Sequence, residues 1–148
     1  MGLFQSFDIC ATGMTAQRFR MDVISENIAN ISTTRTENGT PYRRKMVTFQ
    51  EKTTKNKPFE HYLTNAKKYK GNGVKVSKVS EDFENDFIME YDPSHPDADE
   101  NGYVSYPNVN TVQEMTDLID ASRSYEANAT AFDAVKAMAT AGIQIGQS

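Results

Sequence analysis

The sequence predicts an α+β protein in which long N- and C-terminal helices pair in a coiled-coil-like manner around a small β-rich middle segment. In both terminal regions, apolar and small residues recur at alternating spacings of three and four, which is typical of helices that pair. In the middle, short runs with alternating polarity are separated by turn residues, which is typical of strands. With 148 residues, 38% of them hydrophobic, the chain suits long exposed elements better than a spherical core.

The first predicted helix runs from about Phe4 to Ile31. Gly13 lies inside it and weakens isolated helicity by about 1 kcal/mol. The segment 30–41, rich in Asn, Ser, Thr, Gly and Pro, predicts the turns that end the helix. The predicted seam of this helix consists of Phe4, Phe7, Ala11, Met14, Arg18, Met21, Ser25 and Ile28.

The middle segment predicts four strands, at 42–50, 73–79, 86–91 and 102–106. The second helix then runs from Thr111 to about Ile145. Thr111 and Glu114 have the spacing of a capping box, in which both side chains bind amides at the helix start. The predicted seam of this helix consists of Met115, Leu118, Ser122, Tyr125, Ala129, Phe132, Lys136, Ala139 and Ile143.

Three segments follow from this pattern: 1–34 and 111–148 as terminal helices, and 35–110 as a β-rich segment and connector. Arg18 and Lys136 interrupt the seams, and such polar residues fix register or partner choice at some cost in stability. The paired helices would still expose apolar stripes, which mark protein contacts. These stripes are Phe19, Val23 and Ile24 on the first helix, and Val112, Ile119, Val135 and Met138 on the second.

Charge is unevenly divided in a chain of net charge −4. Eleven Lys and Arg residues lie between Arg43 and Lys78, whereas none lies between Val79 and Ser122. Two interpretations stay open: two solvated surfaces, or docking of the basic face of one copy on the acidic face of a neighbour. A nucleic-acid site ranks third, because the basic run lacks a known binding module.

The segment 97–102 has the acidic residues and glycine of an EF-hand opening, but position 12 of such a loop would be Asn108 and no helix precedes it. We therefore expect an acidic connector made of turns, with Tyr103 and Tyr106 packing and His95 holding the loop by hydrogen bonds. The sequence lacks the usual set of zinc ligands. No feature of the sequence singles out His61 or His95 as a catalytic base. No cofactor, metal or catalytic residue is predicted.

Cys10 is the one cysteine, so no intrachain disulfide can form. The first residues lack a basic region and include Asp8, which argues against a cleavable secretory signal. No run is apolar enough to span a bilayer, so direct membrane insertion is not expected.

Three quoted stretches carry a family resemblance. TAQRFRMDVISENIANISTT (15–34) resembles the N-terminal signature of bacterial flagellar axial proteins, and SYEANATAFDAVKAM (124–138) resembles their C-terminal end. YDPSHPDADENGYVSYPNVN (91–110) is similar to the characteristic segment of a proximal rod member. The alternatives are another rod or hook subunit and a secreted calcium-dependent binding module.

The resemblance implies a structural subunit, not an enzyme, in the periplasmic rod of the flagellar basal body, exported without a cleavable signal peptide. It implies helical assembly that transmits torque and forms the export-channel wall. Implied partners are copies of the chain and the rod proteins FlgB, FlgF and FliE, with no nucleic acid. The expected assembly interface consists of Phe4, Phe7, Met14, Met21, Asn27, Ile28, Asn30, Leu118, Tyr125, Phe132 and Ile143.

Overall fold

The computed structural model describes residues 3–52 and 71–146. Its elements follow the order helix α1 (Leu3–Ala29), strands β1 (Lys45–Glu51), β2 (Val74–Glu81), β3 (Ile88–Tyr91) and β4 (Tyr103–Tyr106), and helix α2 (Thr111–Ile145). All four predicted strands and both helices are confirmed, and the α+β class with them. Part of the basic run between Arg43 and Lys78 lies outside the described residues, and so does His61. Neither described helix is long and apolar enough to cross a membrane.

Helix α1 ends two residues before the predicted boundary. After Ala29 the chain turns, with backbone hydrogen bonds from Ile31 to Ile28 (3.4 Å) and from Thr33 to Asn30 (3.1 Å). These hydrogen bonds span three residues instead of the four of an α-helix, and they end the helix. The polar residues after Ala29 favour turns over a continued helix.

Helix α2 is capped by Asn110, and the predicted capping box of Thr111 and Glu114 is wrong. The Asn110 Oδ1 accepts hydrogen bonds from the amides of Val112 (3.0 Å) and Gln113 (3.2 Å). Asparagine is among the preferred N-cap residues because its side chain satisfies amides that lack helical partners. Glu114 is thereby free to turn its carboxylate into the protein interior.

The strands form two small sheets, each of two strands. Strands β1 and β2 run antiparallel, as shown by backbone bonds beyond their ends from Lys52 to Gly73 and from Asp82 to Arg44, both 2.8 Å. Strands β3 and β4 form an antiparallel hairpin whose register pairs Ile88 with Tyr106 and Tyr91 with Tyr103.

The chain divides into two compact units. Unit 1 comprises 1–18, 49–77 and 122–148, and unit 2 comprises 19–48 and 78–121. In unit 1, α1 and α2 meet where the rings of Phe7 and Phe132 pack edge to face, with centroids 4.8 Å apart. In unit 2, they are joined by a salt bridge of 3.1 Å between Arg20 and Asp117.

The covered stripe of each helix coincides only in part with the predicted seam, of which Phe7 and Phe132 are in contact. On α1 the buried residues are Ala16, Val23, Ile24 and Asn27, and on α2 they are Glu114 and Ala121. Several predicted seam residues are exposed instead: Phe4, Arg18, Ser25, Met115, Lys136 and Ile143. The period was correct, but α2 has alanine or apolar residues on several faces, so spacing alone left more than one register open.

Two further predictions about exposure need correction. Val23 and Ile24 are buried, because β1 packs over this part of α1 and the four side chains Val23, Ile24, Met46 and Val47 line one cavity in unit 2. Arg18 and Lys136, predicted to interrupt the seams, point to solvent. The predicted exposure of Phe19, Val112, Ile119 and Met138 is confirmed, while Val135 is half-buried.

Candidate functional site

A buried polar cluster in unit 2 is centred on Asn27, whose side chain is only 1% exposed. Its Nδ2 donates to the carbonyl of Lys45 (2.9 Å) and to Glu114 Oε2 (3.0 Å). Its Oδ1 accepts from the Lys45 amide (2.9 Å) and the Tyr42 hydroxyl (2.9 Å). All four hydrogen-bonding positions of the amide are thus occupied, and one side chain of α1 holds the start of β1 and the first turn of α2.

Glu114 is fully buried, yet its carboxylate is paired on both oxygens. Oε2 accepts from Asn27, and Oε1 accepts from the Nε of Arg44 at 2.6 Å. Arg44 also reaches Asp117 (3.3 Å), which is shared with Arg20. Buried charges cost much desolvation energy unless they are paired and hydrogen-bonded in this way, so the cluster specifies how α1, β1 and α2 meet.

Tyr42 is held in its neutral form within this cluster. Burial raises the pKa of the Tyr42 hydroxyl, and the carboxylates of Glu26, Glu114 and Glu81 raise it further. The neutral hydroxyl is the form that can donate its proton to Asn27 Oδ1.

A second polar group lies where β2 leaves its sheet. Buried Asp82 accepts hydrogen bonds from the amides of Glu84 and Asn85 and from the Asn85 side chain (2.8 Å). The bond from the Asn85 side chain lowers the pKa of Asp82 most, against the opposing effect of burial. Asn108 joins the same turn to β1, because its Oδ1 accepts from the Arg44 amide and its Nδ2 donates to the Asp82 carbonyl.

Arg43 anchors this turn on its outer side. Its Nη1 donates to the Asp82 carbonyl at 2.8 Å, and its guanidinium lies over the rings of Phe83 (4.6 Å) and Phe87 (4.4 Å). Cation–π contacts of this kind are worth roughly 0.5–1 kcal/mol at exposed sites.

Two glycines of unit 1 lie so close to neighbouring side chains that an added Cβ would require those side chains to move. A Cβ built on Gly13 would lie 2.6 Å from the Oδ1 of Asn128, which packs across from α2. A Cβ on Gly73 would lie 2.1 Å from the Thr12 Oγ1, and Gly73 has a φ of +86°. Glycine permits both the close approach and the positive φ, so α1 packs tightly on α2 and on the start of β2.

The predicted interface residues take different positions. Phe7 and Phe132 contact each other, and Asn27 is buried in the polar cluster. Asn30 binds locally, donating to the Glu26 carbonyl and accepting from the Thr33 hydroxyl. Phe4 and Ile143 are exposed. The others are half-buried: Met14, Met21, Ile28, Leu118 and Tyr125.

Helix α2 presents an apolar face in unit 1 that is exposed to solvent in the described part of the chain. Its residues recur at alternating spacings of four and three, and all are exposed: Ala127, Ala131, Ala134, Met138, Ala141 and Ile145. Ala127, Ala131, Ala134 and Met138 each come directly before a half-buried residue, so this part of the helix has two adjacent seams. Small residues at such spacings let another helix approach closely. We call this the alanine face.

The acidic connector consists of turns, as predicted. Asp99 Oδ1 accepts from the amides of Asn101 (2.9 Å) and Tyr103 (2.8 Å), and the Ser94 hydroxyl lowers the pKa of Asp92 by hydrogen bonding to it. The predicted loop role of His95 is confirmed, since its Nδ1 accepts from the Asp97 amide (3.1 Å). Its ring also packs on Tyr106. No group of three His, Cys, Asp or Glu side chains that could hold a metal occurs within 3–52 and 71–146.

The sequence predicts Asn27 as part of an assembly interface, which stays a prediction, but it does not reveal the cluster within the chain around Asn27. The sequence predicts a capping role for Glu114, places Tyr42 in a strand and includes Arg44 in the basic run. One signal was available: Glu114 lies four residues before Leu118 and seven before Ala121, which is the spacing of the covered stripe.

Comparison with known proteins gives two matching families. Residues 7–35 match the family described as flagella basal body rod protein. Residues 100–145 match the family described as flagellar basal body rod FlgEFG protein C-terminal. The matches cover most of α1 and all of α2.

Relatives align over nearly the whole chain. The flagellar basal-body rod protein FlgC of Bacillus subtilis is 47% identical, covering 99% of this chain and 100% of the relative. FlgC of Borreliella burgdorferi is 45% identical, covering 99% of both. FlgC of Escherichia coli O6:H1 is 37% identical, covering 99% and 100%. Because these relatives are rod proteins by name, the role they indicate is structural and not enzymatic. The chain belongs to the FlgC family of structural rod proteins of the flagellar basal body.

Proposed function

We propose that the chain is a subunit of the proximal rod that assembles helically with copies of itself and with other rod proteins. The alanine face carries this proposal. It is an exposed apolar seam on a helix that already uses its neighbouring seam against α1. Exposed contiguous apolar surface marks a contact site, and a helix with two seams fits a bundle of more than two helices.

The pairing of α1 and α2 is proposed to be coiled-coil-like. The Phe7–Phe132 contact and the close approach of Asn128 to Gly13 are consistent with residues of one helix packing between those of the other. Segments 1–34 and 111–148 would then form the core of the rod, with 35–110 as its outer part. Dense packing between many such helices resists deformation, which suits a shaft that transmits torque and encloses an export channel.

The specific neighbours are proposals as well. FlgB, FlgF and FliE are the rod components expected beside a proximal rod subunit, in the periplasm. Export without a cleavable signal peptide belongs to the same proposal. The interface predicted from the sequence stays part of the proposal, with the exposed Phe4 and Ile143 as the members most accessible to a neighbour.

A charge on the alanine face tests the proposal. Met138 is 63% exposed, so Met138→Asp should change the free energy of unfolding of the purified chain by less than about 0.5 kcal/mol. The same change should abolish swimming and rod completion, because burying an unpaired charge between helices is costly. Gln144→Asp adds the same charge at an exposed position on another side of α2 and should leave swimming intact.

Phe132→Asp provides the contrasting variant. It should block assembly too, but through lost stability of unit 1, since it removes the ring contact with Phe7. Normal swimming and complete basal bodies in the Met138→Asp strain would show that the alanine face is not an assembly contact.

A further inference from the structure

The β3–β4 hairpin carries an open aromatic face in unit 2. Its register pairs Met89 with Ser105 and Tyr91 with Tyr103, and paired residues lie on the same face of a sheet. Met89, Tyr91 and Tyr103 are 55%, 64% and 44% exposed. We call these three residues the aromatic face.

The opposite side of the hairpin is covered only at its centre. Val104, which pairs with Glu90, has an exposed fraction of 0%, whereas Ile88 and Glu90 are exposed. On the side of the aromatic face, Tyr103 lines a cavity with Thr34, Arg35 and Pro41, and Met89 and Tyr91 lie outside that cavity.

Two side chains of the aromatic face are in contact with each other without a partner. The rings of Tyr91 and Tyr103 pack edge to face with centroids 5.3 Å apart. Gly102, with a φ of +82°, lets the turn pass close to Tyr91 and Pro93. Tyrosine and methionine are enriched at protein interfaces, and a surface that is already rigid loses little entropy on binding.

Charge identifies the kind of partner. Five carboxylates lie between Glu90 and Glu100, and no Lys or Arg lies anywhere from Val79 to Ser122. Glu100 is exposed in the connector between β3 and β4, whereas Asp97 already lies 3.8 Å from Arg35. A partner that complements this surface must bring basic residues, because like charges would oppose its approach.

A second copy of the same chain has such residues. Between Arg43 and Lys78 there are eleven Lys and Arg residues against two carboxylates. Lys52 and Lys75 are exposed in unit 1, and within the described part of the chain neither forms a salt bridge. They flank one end of the β1–β2 sheet, where the Lys52 amide binds the Gly73 carbonyl at 2.8 Å.

We propose that the aromatic face and its carboxylates dock on the Lys52 and Lys75 end of the β1–β2 sheet of a neighbouring copy. The two surfaces differ, so the contact is heterologous and can repeat from copy to copy without closing on a dimer. The inference rests on the proposed function, since it requires copies to assemble side by side.

Cysteine crosslinking in isolated basal bodies tests the contact directly. In a Cys10→Ser background, Tyr91→Cys is combined with Lys75→Cys and treated with a short bismaleimide. We expect a ladder of crosslinked multimers of this chain, and no ladder from the Tyr91→Cys variant alone. If the chain is present in the basal bodies but only monomers are seen, or if the product contains another protein, the inference is wrong while the proposed function stands. Absence of the wild-type chain from basal bodies would instead refute the proposed function.

Charge exchange provides an independent readout. Glu100→Lys should reduce swimming, as should Lys75→Glu. The two changes together should restore it, because opposite charges again face each other. Circular dichroism of each purified variant checks that it remains folded. A folded single variant that swims normally, or a double variant that recovers no swimming, would overturn the pairing.

Discussion

The Nδ2 of Asn27 donates a 3.0 Å hydrogen bond to the Oε2 of Glu114, and solvent reaches neither side chain. The two residues belong to opposite ends of the sequence, 87 positions apart. Their bond joins the last part of α1 to the first turn of α2, and Arg44 adds β1 to the same point. A polar contact thus lies beside the buried apolar residues Val23 and Ile24 of unit 2 and joins three elements there.

Asn27→Ala should lower the free energy of unfolding by about 3 kcal/mol, measured by urea denaturation. The change removes four hydrogen bonds and leaves Tyr42, Lys45 and Glu114 with buried unpaired groups. Asn30→Ala is the matched control. Its side chain bonds only to neighbouring turn residues, so we expect a loss of at most about 1 kcal/mol. Equal losses in the two variants would contradict the central role of Asn27.

Gly13→Ala should destabilise unit 1, although alanine favours an isolated helix over glycine by about 1 kcal/mol. The added methyl group would meet Asn128 Oδ1 at 2.6 Å, so the side chain or the helix must move. Thermal unfolding of the purified chain measures the effect as a lower Tm.

Gly142→Ala is the control, because nothing lies within 4 Å of a Cβ at Gly142 and the position is within α2. This variant should gain up to about 1 kcal/mol. Combining Gly13→Ala with Asn128→Ala should recover much of the lost stability. If Gly13→Ala alone raised the Tm as much as Gly142→Ala does, the close contact with Asn128 would be disproved.

Asp82 should contribute to a loss of stability in acid. Its pKa in the folded chain lies below the ordinary value of 3.8, chiefly because of the Asn85 side chain. The carboxylate therefore stabilises the fold above the unfolded-state pKa, and this contribution is lost as the pH falls through the lower folded-state pKa. Between about pH 5 and about pH 2, the free energy of unfolding should fall less in Asp82→Asn than in the wild type.

Asn85→Ala, which removes the largest cause of the lowered pKa, should give an intermediate slope. Some acid sensitivity should persist in Asp82→Asn, because hydrogen bonds from Ser94 also lower the pKa of Asp92. Identical pH slopes for Asp82→Asn and the wild type would show that Asp82 titrates alike in both states.

Local features were predictable because they depend on neighbours in sequence. The helices were found from their period of three and four, the strands from alternation and the connector from its Asp, Asn and Gly residues. The failures occurred where a tertiary contact decided the outcome. Glu114 has the spacing of a capping residue. In the structure, however, Asn110 caps the helix, and Arg44 and Asn27 donate hydrogen bonds to the Glu114 carboxylate. Val23 and Ile24 were predicted to be exposed, but they are buried, because β1 packs over α1. The spacing of apolar residues within α1 does not indicate that packing.

The amino-acid sequence by itself determined the two helices, the four strands and the turn-rich connector, and its quoted stretches were enough to indicate the family. Only the tertiary structure decided which face of each helix is covered, because several faces of α2 are apolar enough to serve. The decision came from directional contacts: the hydrogen bonds of Asn27 and Glu114 and the space that Gly13 leaves for Asn128. Such contacts require atoms from distant parts of the chain to meet within about 3 Å, and no periodicity along one segment records that.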